Sequence, residues 1–242
     1  PIINLLSKVT KPKFNQNKQR TNNFTNIKLE FMKKLLGIIL ILGLFSCQKE
    51  LGGDDAPINI PSSTTLTGTI NTTTTLTADK VWTLKGYVYV TDGAKLIIQP
   101  GTTIISDISE KGALCIERGA QIIAEGTATK PIVFTSGRAN GEKAPGDWGG
   151  IVLLGTAAVN QSLAWKGTTY NGLTSVEGGV NDTEIGYGLA GSGDAAFPTG
   201  NDADNSGILQ YVRIEYAGYA FQPDNELNSL TMAGVGSGTT ID

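Results

Sequence analysis

Acidic and hydroxyl side chains are clustered just before one of the isoleucine- and valine-rich segments of the chain. Asp202, Asp204 and Ser206 have the spacing D-x-D-x-S-G, which is that of the first half of a calcium-binding loop. Arg213 occupies the place where such a loop has its bidentate glutamate. The first interpretation is a polar turn that opens a strand and needs no cofactor. The alternative is a site for structural calcium.

Aromatic residues are concentrated in the segment YAGYAF, which contains Tyr216, Tyr219 and Phe221. Sugar rings can pack against the faces of such side chains, so we consider these three residues candidates for binding a glycan. The alternative is that they pack beneath a long neighbouring insertion. For Trp148, which stands among glycines, we expect packing rather than binding.

Catalysis would need a different arrangement of side chains. Polysaccharide lyases and hydrolases built on stacked strands use clustered carboxylates, with Lys or Arg, on one exposed sheet. Here Arg213 and Glu215 alternate along one strand, and Glu117 and Arg118 flank a turn, a pattern typical of solvent-facing side chains. The chain has no histidine, which excludes most histidine-dependent hydrolase and zinc chemistry. We therefore expect no catalytic residues here.

The net charge of −3 conceals an uneven distribution. Residues 1–46 carry eight Lys or Arg and one acidic residue, whereas eleven basic and twenty-one acidic residues follow from Cys47 onward. An acidic body repels phosphates, so nucleic acid is not expected as a partner.

The basic segment contains the elements of an export signal. Met32 and two lysines form a start and a positive region, and residues 35–45 are an apolar run too short to span a membrane. Ser46 and Cys47 then resemble a bacterial lipobox, in which the cysteine is acylated and becomes the new amino terminus. We expect a signal peptide over 32–46, lipid attachment at Cys47, and sequence upstream of the true start over 1–31. A buried helix with an incidental cysteine is the alternative.

A short polar segment follows the cysteine. Its first residues, QKE, resemble the start of the signal that sends lipoproteins of Bacteroidetes to the cell surface, although the acidic pair Asp54 and Asp55 comes a few residues late. Residues 47–63, with Gly and Pro, are typical of a flexible tether. We expect an outer-membrane protein held in the bilayer by acyl chains and exposed at the cell surface.

The remainder of the chain repeats itself. Residues 88–104 align with residues 114–134 at a spacing of 26, falling to 25 after Pro100. The alignment pairs Val88 with Leu114 and Gly101 with Gly126. Each unit consists of short alternating strands separated by glycine turns, and it buries its apolar face only by stacking on the next unit.

The repeat predicts the organisation of residues 64–242. We expect an N-terminal cap over 64–86, coils over 87–157, a long excursion over 158–205 and further coils over 206–242, with one long strand in 206–218. Cys115 has no disulfide partner if Cys47 is acylated. The last unit stops as a strand begins, so we expect later coils and a C-terminal cap to be missing.

The blocks WTLKGYVYVTDGAKLIIQPGT, GDWGGIVLLG and DNSGILQYVRIEYAG resemble those of secreted or surface β-helix proteins from Bacteroidetes and related bacteria. The resemblance covers roughly residues 64–242 and implies an all-β fold, the right-handed parallel β-helix, a solenoid. The fold alone does not imply one activity.

Two functions remain open. The one we favour is a display module, adhesin-like or glycan-contacting, with an extracellular glycan or surface protein as partner. The alternative is a β-helix polysaccharide lyase or glycoside hydrolase whose active site lies in missing coils.

Overall fold

A computed structural model describes residues 62–180 and 186–242. The predicted signal peptide, Cys47 and most of the predicted tether lie outside the described residues. The strands are β1 (Ser62–Ile70), β2 (Thr74–Leu76), β3 (Lys80–Val90), β4 (Lys95–Ile98), β5 (Thr103–Ser106), β6 (Ala113–Ile116), β7 (Gln121–Glu125), β8 (Ile132–Ser136), β9 (Gly150–Leu154), β10 (Ser162–Trp165), β11 (Thr168–Asn171), β12 (Leu173–Ser175), β13 (Leu189–Gly191), β14 (Gly207–Gln210), β15 (Val212–Ile214), β16 (Ala220–Gln222), β17 (Asn225–Glu226), β18 (Leu230–Ala233) and β19 (Thr240–Ile241). No helix in the described part of the chain is long and apolar enough to cross a membrane.

The strands coil through parallel sheets, so the chain folds as a parallel β-helix. Sheet 1 contains the C-terminal halves of β1 and β3, then β6, β9 and β18. Sheet 2 has the order β2-β4-β7-β14-β19. Sheet 3 contains the N-terminal halves of β1 and β3, then β5, β8 and β15. Because β1 and β3 bend around a shared corner, sheets 1 and 3 are continuous.

Alternation along each strand fills the interior of the coil. In β4, Leu96 and Ile98 are buried while Ile97 between them is partly exposed. The next coil repeats this arrangement, with Ile122 paired to Leu96 and buried. Successive coils thereby stack apolar side chains into one continuous core, which no single coil could form alone.

Glycine is required where sheet 3 passes into sheet 1. Gly86 turns this corner with φ +64°, and a Cβ on Gly112, one coil later, would lie 1.8 Å from the carbonyl oxygen of Gly86. Gly149 in the following coil donates its N–H to the carbonyl of Gly112 at 2.7 Å. A side chain at Gly112 would therefore force the stacked coils apart.

The repeat predicted from the sequence is confirmed over two of the sheets and wrong over the third. Val88 pairs with Leu114 and Leu96 with Ile122, as the alignment predicts. The predicted match of Gly101 with Gly126 fails, because residues 127–130 form an extra turn closed by hydrogen bonds between Thr127 and Lys130. Thr103 consequently pairs with Val133, at a spacing larger than the predicted 25.

Two further predicted boundaries can be placed on the strands. Residues 206–218 do not form one strand but β14 and β15, because Tyr211, with φ +48°, turns the corner between sheets 2 and 3. The predicted limit between cap and coils, after residue 86, lies inside β3, and β1 already pairs in parallel with that strand. The strand predicted in GDWGGIVLLG is confirmed as β9.

The excursion, residues 158–205, carries its own short strands. β10 and β11 form an antiparallel hairpin, and β12 pairs with β13, also antiparallel. Leu173, Val180 and Leu189 are buried in it. The excursion is therefore packed structure in its described residues rather than a bare loop.

Candidate functional site

The excursion covers the outer face of sheet 1. Tyr87 and Tyr89 project outward there and donate their hydroxyls to the carbonyls of Gly178 and Val180, at 2.7 and 2.9 Å. A second apolar cluster fills the space between sheet and excursion, with members Ala113, Cys115, Val152, Leu154, Val180, Ala190 and Leu227. The face is thus closed to large ligands, and candidate sites lie along its two borders.

The residues considered for calcium hold the neck of the excursion. Asp204 is buried and accepts hydrogen bonds from the backbone N–H and hydroxyl of Thr156, while Ser206 donates its hydroxyl to the other oxygen of Asp204 at 3.2 Å. Asp202 is exposed and accepts from the N–H of Ala158 at 3.3 Å. Within residues 62–180 and 186–242, no group of three His, Cys, Asp or Glu side chains is arranged to hold a metal ion.

One border of sheet 1 forms a groove of about 380 Å³, which we call the aromatic groove. Tyr219 and Phe221, both predicted binding candidates, line it together with Tyr87 and Lys111. The ammonium of Lys111 lies 4.6 Å from the ring centroid of Tyr219 and donates to the carbonyl of Gly146. Phe221 remains 43% exposed. The groove thus combines accessible aromatic surface with a cation.

Tyr216 is placed outside this groove. It is 40% exposed, has φ +60°, and its ring centroid lies 5.8 Å from the ammonium of Lys143. Of the three aromatic candidates in the segment YAGYAF, only Tyr219 and Phe221 therefore share a cavity. The alternative, that these residues pack beneath the excursion, also holds for Phe221. Its ring lies so close to Gly179 of the excursion that a Cβ there would be 2.9 Å away.

The opposite border forms a smaller cleft of about 220 Å³, which we call the corner cleft. Its coil side is the turn that contains Glu117 and Arg118, and its excursion side carries Trp165, Tyr187 and Phe197. The excursion thus brings three aromatic rings to a turn that already carries an acid and a base.

A family model described as a pectate-lyase-like β-helix domain matches residues 68–242. The chain belongs to the pectate-lyase-like β-helix family. No curated protein and no solved structure matches the chain.

The corner of this β-helix contains a buried ion pair. Arg118 donates to the carboxylate of Asp194 at 2.6 Å, and both side chains are less than a tenth exposed. Arg118 also donates to the carbonyl of Gly191 and lies 4.7 Å from the ring centroid of Phe197. Hydrogen bonds and the charge of Arg118 outweigh burial and hold the pKa of Asp194 below its usual value.

Glu117, beside this pair, is only 6% exposed. Burial raises the pKa of its carboxyl from 4.5 to about 7, against the opposing effects of the Gly188 N–H and Arg118. Both carboxyl oxygens lie near that N–H, at 3.1 and 3.2 Å. The prediction that Glu117 and Arg118 are ordinary solvent-facing charges is wrong, because the excursion folds over the turn that carries them.

Other residues considered in the sequence analysis make packing or surface contacts in the β-helix. Trp148 is 1% exposed and donates its indole N–H to the carbonyl of Glu215, which confirms packing. Arg213 forms an ion pair with Glu215 at the surface. Cys115 is a free thiol buried under the excursion, and burial raises its pKa well above the usual value.

Tyr87 and Tyr89 were not recognised as site residues from the sequence. They alternate with Val88 in a strand, so an outward direction was predictable. Their partners lie 91 residues away in the excursion. No spacing or motif in the sequence predicts such a contact. The one available signal was the presence of two aromatic residues on the outer face of a coil, which suggests that another segment covers them.

Proposed function

We propose that this β-helix is a surface-displayed binding module that contacts glycans, without catalytic residues in the described coils. In this proposal the coil is right-handed and acyl chains on Cys47 hold the protein in the outer membrane, with its body towards the cell exterior. A surface protein is the other partner considered.

The observation that carries the proposal is the aromatic groove. Phe221 is 43% exposed and lines the same cavity as Tyr219, so the two rings together present apolar surface to a ligand. A cavity of about 380 Å³ is within the range of ligand sites, which are mostly apolar with a few polar groups. Lys111 and Glu110 supply such groups at its wall.

The register of the described strands bears on where a catalytic array could lie. An active sheet needs carboxylates or bases at equivalent positions of adjacent coils. In the paired strands of sheets 1, 2 and 3 as described, no two carboxylates face each other across adjacent coils. Glu125, for instance, pairs with Gln210.

The test is a glycan array probed with the full chain and with Phe221→Ala. We expect binding to a limited set of glycans, weakened at least tenfold in Phe221→Ala. Tyr211→Ala is the matched control, since Tyr211 is also a largely exposed aromatic residue but does not line the groove. Equal loss in both variants, or no glycan bound by the unaltered chain, would contradict the proposal.

The anchor is tested separately. Cys47→Ala should move the protein from the membrane fraction to the soluble fraction. Surface exposure is then tested by protease treatment of intact cells. A Cys47→Ala protein that still sediments with lipid at high salt would exclude the acyl anchor.

Polysaccharide cleavage is the second candidate, favoured by the description of the family as pectate-lyase-like. Its test is incubation of the chain with pectate and other acidic polysaccharides. A lyase would create an unsaturated uronate that absorbs in the ultraviolet, and a hydrolase would create reducing ends without that absorbance. Either signal, abolished by heat denaturation, would replace the binding proposal.

A further inference from the structure

The corner cleft is separate from the aromatic groove and differs from it in chemistry. Its aromatic walls, Trp165, Tyr187 and Phe197, come from the excursion, whereas Glu117 and Thr91 come from stacked turns of the coil. Its volume, about 220 Å³, is below the usual range of about 300–1,000 Å³ for ligand pockets, so it fits a small ligand or one unit of a chain.

The charges at the cleft favour a neutral ligand. Arg118 is neutralised by Asp194 at 2.6 Å, and neither is available to an ionic ligand without breaking a buried pair. Burial raises the pKa of Glu117 to about 7, so its carboxyl is mostly uncharged below that pH. Asp92 is exposed at the rim, and Lys166 lies 5.0 Å from the ring centroid of Trp165. These two exposed charges are of opposite sign.

Glu117 is a costly choice for a purely structural role. Its carboxyl accepts the N–H of Gly188, a contact that a glutamine carbonyl would make without the cost of burying an acid. A carboxylic acid has further hydrogen-bonding capacity beyond that single N–H, both as donor and as acceptor. Glu117 lines the cleft, so this capacity is within reach of a ligand bound there.

We propose that the corner cleft is a second glycan site that binds one neutral pyranose ring, with Glu117 as its hydrogen-bonding group. The C–H faces of the ring pack on the aromatic walls, on the sides that Arg118 over Phe197 and Tyr89 beside Tyr187 do not cover. The hydroxyls of the ring meet Glu117 and Thr91. This inference rests on the proposed glycan-binding function and assigns that function a second, chemically distinct site.

The proposal has a pH signature. A neutral ring that excludes water from the cleft strengthens the burial that already dominates the titration of Glu117, so the ring binds best to the protonated acid. Among the described residues, the ionisable and charged groups around Glu117 are Arg118, Asp194, Asp92, Cys115 and Tyr187. Because the protonated fraction of a group with a pKa of about 7 falls roughly tenfold between about pH 6 and about pH 8, affinity should fall by about the same factor.

The test uses the full chain with methyl glycosides of common neutral hexoses and pentoses. Binding is read from the change in fluorescence of Trp165, which lines the cleft whereas the buried Trp82 and Trp148 do not, and from saturation-transfer NMR. We expect one glycoside to bind with an affinity that falls about tenfold from about pH 6 to about pH 8. In Glu117→Gln, which retains the contact to Gly188, binding should persist and the pH dependence should disappear.

Matched variants separate this site from the aromatic groove. Glu110→Gln alters an acid in the groove and should leave the pH dependence intact, and Phe221→Ala should leave the Trp165 signal intact. Tyr187→Ala should abolish that signal, with Tyr187→Phe as the variant that keeps the ring. Thermal unfolding of each variant establishes that it is folded.

Several results would overturn the inference. The first is that no glycoside changes Trp165 fluorescence. The second is that binding in Glu117→Gln keeps the pH dependence of the unaltered chain. If glycans bind in a Phe221-dependent way and the cleft remains empty, the proposed function stands and this inference fails. If the cleft binds a ring while Phe221→Ala changes nothing on the array, the groove proposal fails instead.

Discussion

Thr156 and Asp204 are joined by two hydrogen bonds although 48 residues separate them in the sequence. The backbone N–H and the hydroxyl of Thr156 donate to the same carboxylate oxygen, at 3.0 and 2.7 Å, and both side chains are buried. The two residues close the neck of the excursion, where the chain leaves sheet 1 and where it returns to sheet 2. The coil can therefore continue as if the intervening segment were absent.

The first prediction concerns this neck. Asp204→Ala leaves a buried N–H and a buried hydroxyl without their acceptor, so the free energy of unfolding should fall by about 1–3 kcal/mol. Urea unfolding followed by circular dichroism measures it. Asp202→Ala, which removes an exposed acceptor, is the matched control and should change stability much less. A comparable loss in both variants would show that burial at Asp204 is not the cause.

The same residues allow a test for calcium. If Asp204 acts through Thr156 and Ser206, millimolar calcium or EDTA should leave the melting temperature of the unaltered chain unchanged. A rise in melting temperature with calcium that is lost in Asp202→Ala would instead establish the alternative of a structural calcium site.

A second prediction concerns the ion pair between Arg118 and Asp194. Removing one partner leaves the other charge buried without compensation, so Arg118→Leu should destabilise the chain by about 3–5 kcal/mol. The double variant Arg118→Leu/Asp194→Leu should recover part of that loss, because no lone charge remains. A double-mutant cycle measures the coupling, and additive losses would contradict a direct interaction.

A third prediction concerns stability as a function of pH. The pKa of Glu117 rises from 4.5 to about 7 on folding, so the folded state holds its proton more tightly than the unfolded state. This contribution to stability is fully present below about pH 4.5 and is lost as the pH rises through about 7. Glu117→Gln should therefore gain stability relative to the unaltered chain across that interval. Parallel pH profiles of the two chains would show that Glu117 does not titrate in this way.

A fourth prediction uses Cys115 as a reporter of the covering segment. Burial raises the pKa of its thiol, so a thiol reagent should label it only when the excursion opens. In a Cys47→Ala background, Tyr89→Phe removes the hydrogen bond to Val180 and should accelerate labelling several-fold. The control, Tyr170→Phe, alters a tyrosine of the β10–β11 hairpin and should leave the rate unchanged.

The sequence was sufficient to predict the coil but not what covers it. The pairing of Val88 with Leu114 follows from alternation and glycine spacing, which are local properties of each unit. The extra turn at Thr127 was missed because Gly126 and Thr127 match Gly101 and Thr102 in sequence. Tyr211 was predicted to lie within a strand, because a tyrosine gives no indication of a positive φ.

The candidate sites were harder to predict for the same reason. Tyr219 and Phe221 are close in sequence, so their proximity could be predicted. Tyr87, which lines the same groove, is distant in sequence and could not be predicted to join them. Glu117 has the sequence context of a surface charge, and only the long-range return of Gly188 buries it. Contacts made by a long excursion depend on tertiary packing, which no local periodicity encodes.

Hydrogen exchange of the full chain with and without its best array glycan tests the central claim most directly. The account predicts that the glycan slows amide exchange in residues 108–111 and 219–221, the two segments that face each other across the aromatic groove, and that Phe221→Ala removes this protection. Protection confined to sheet 2 or sheet 3, with the groove unaffected, would contradict it.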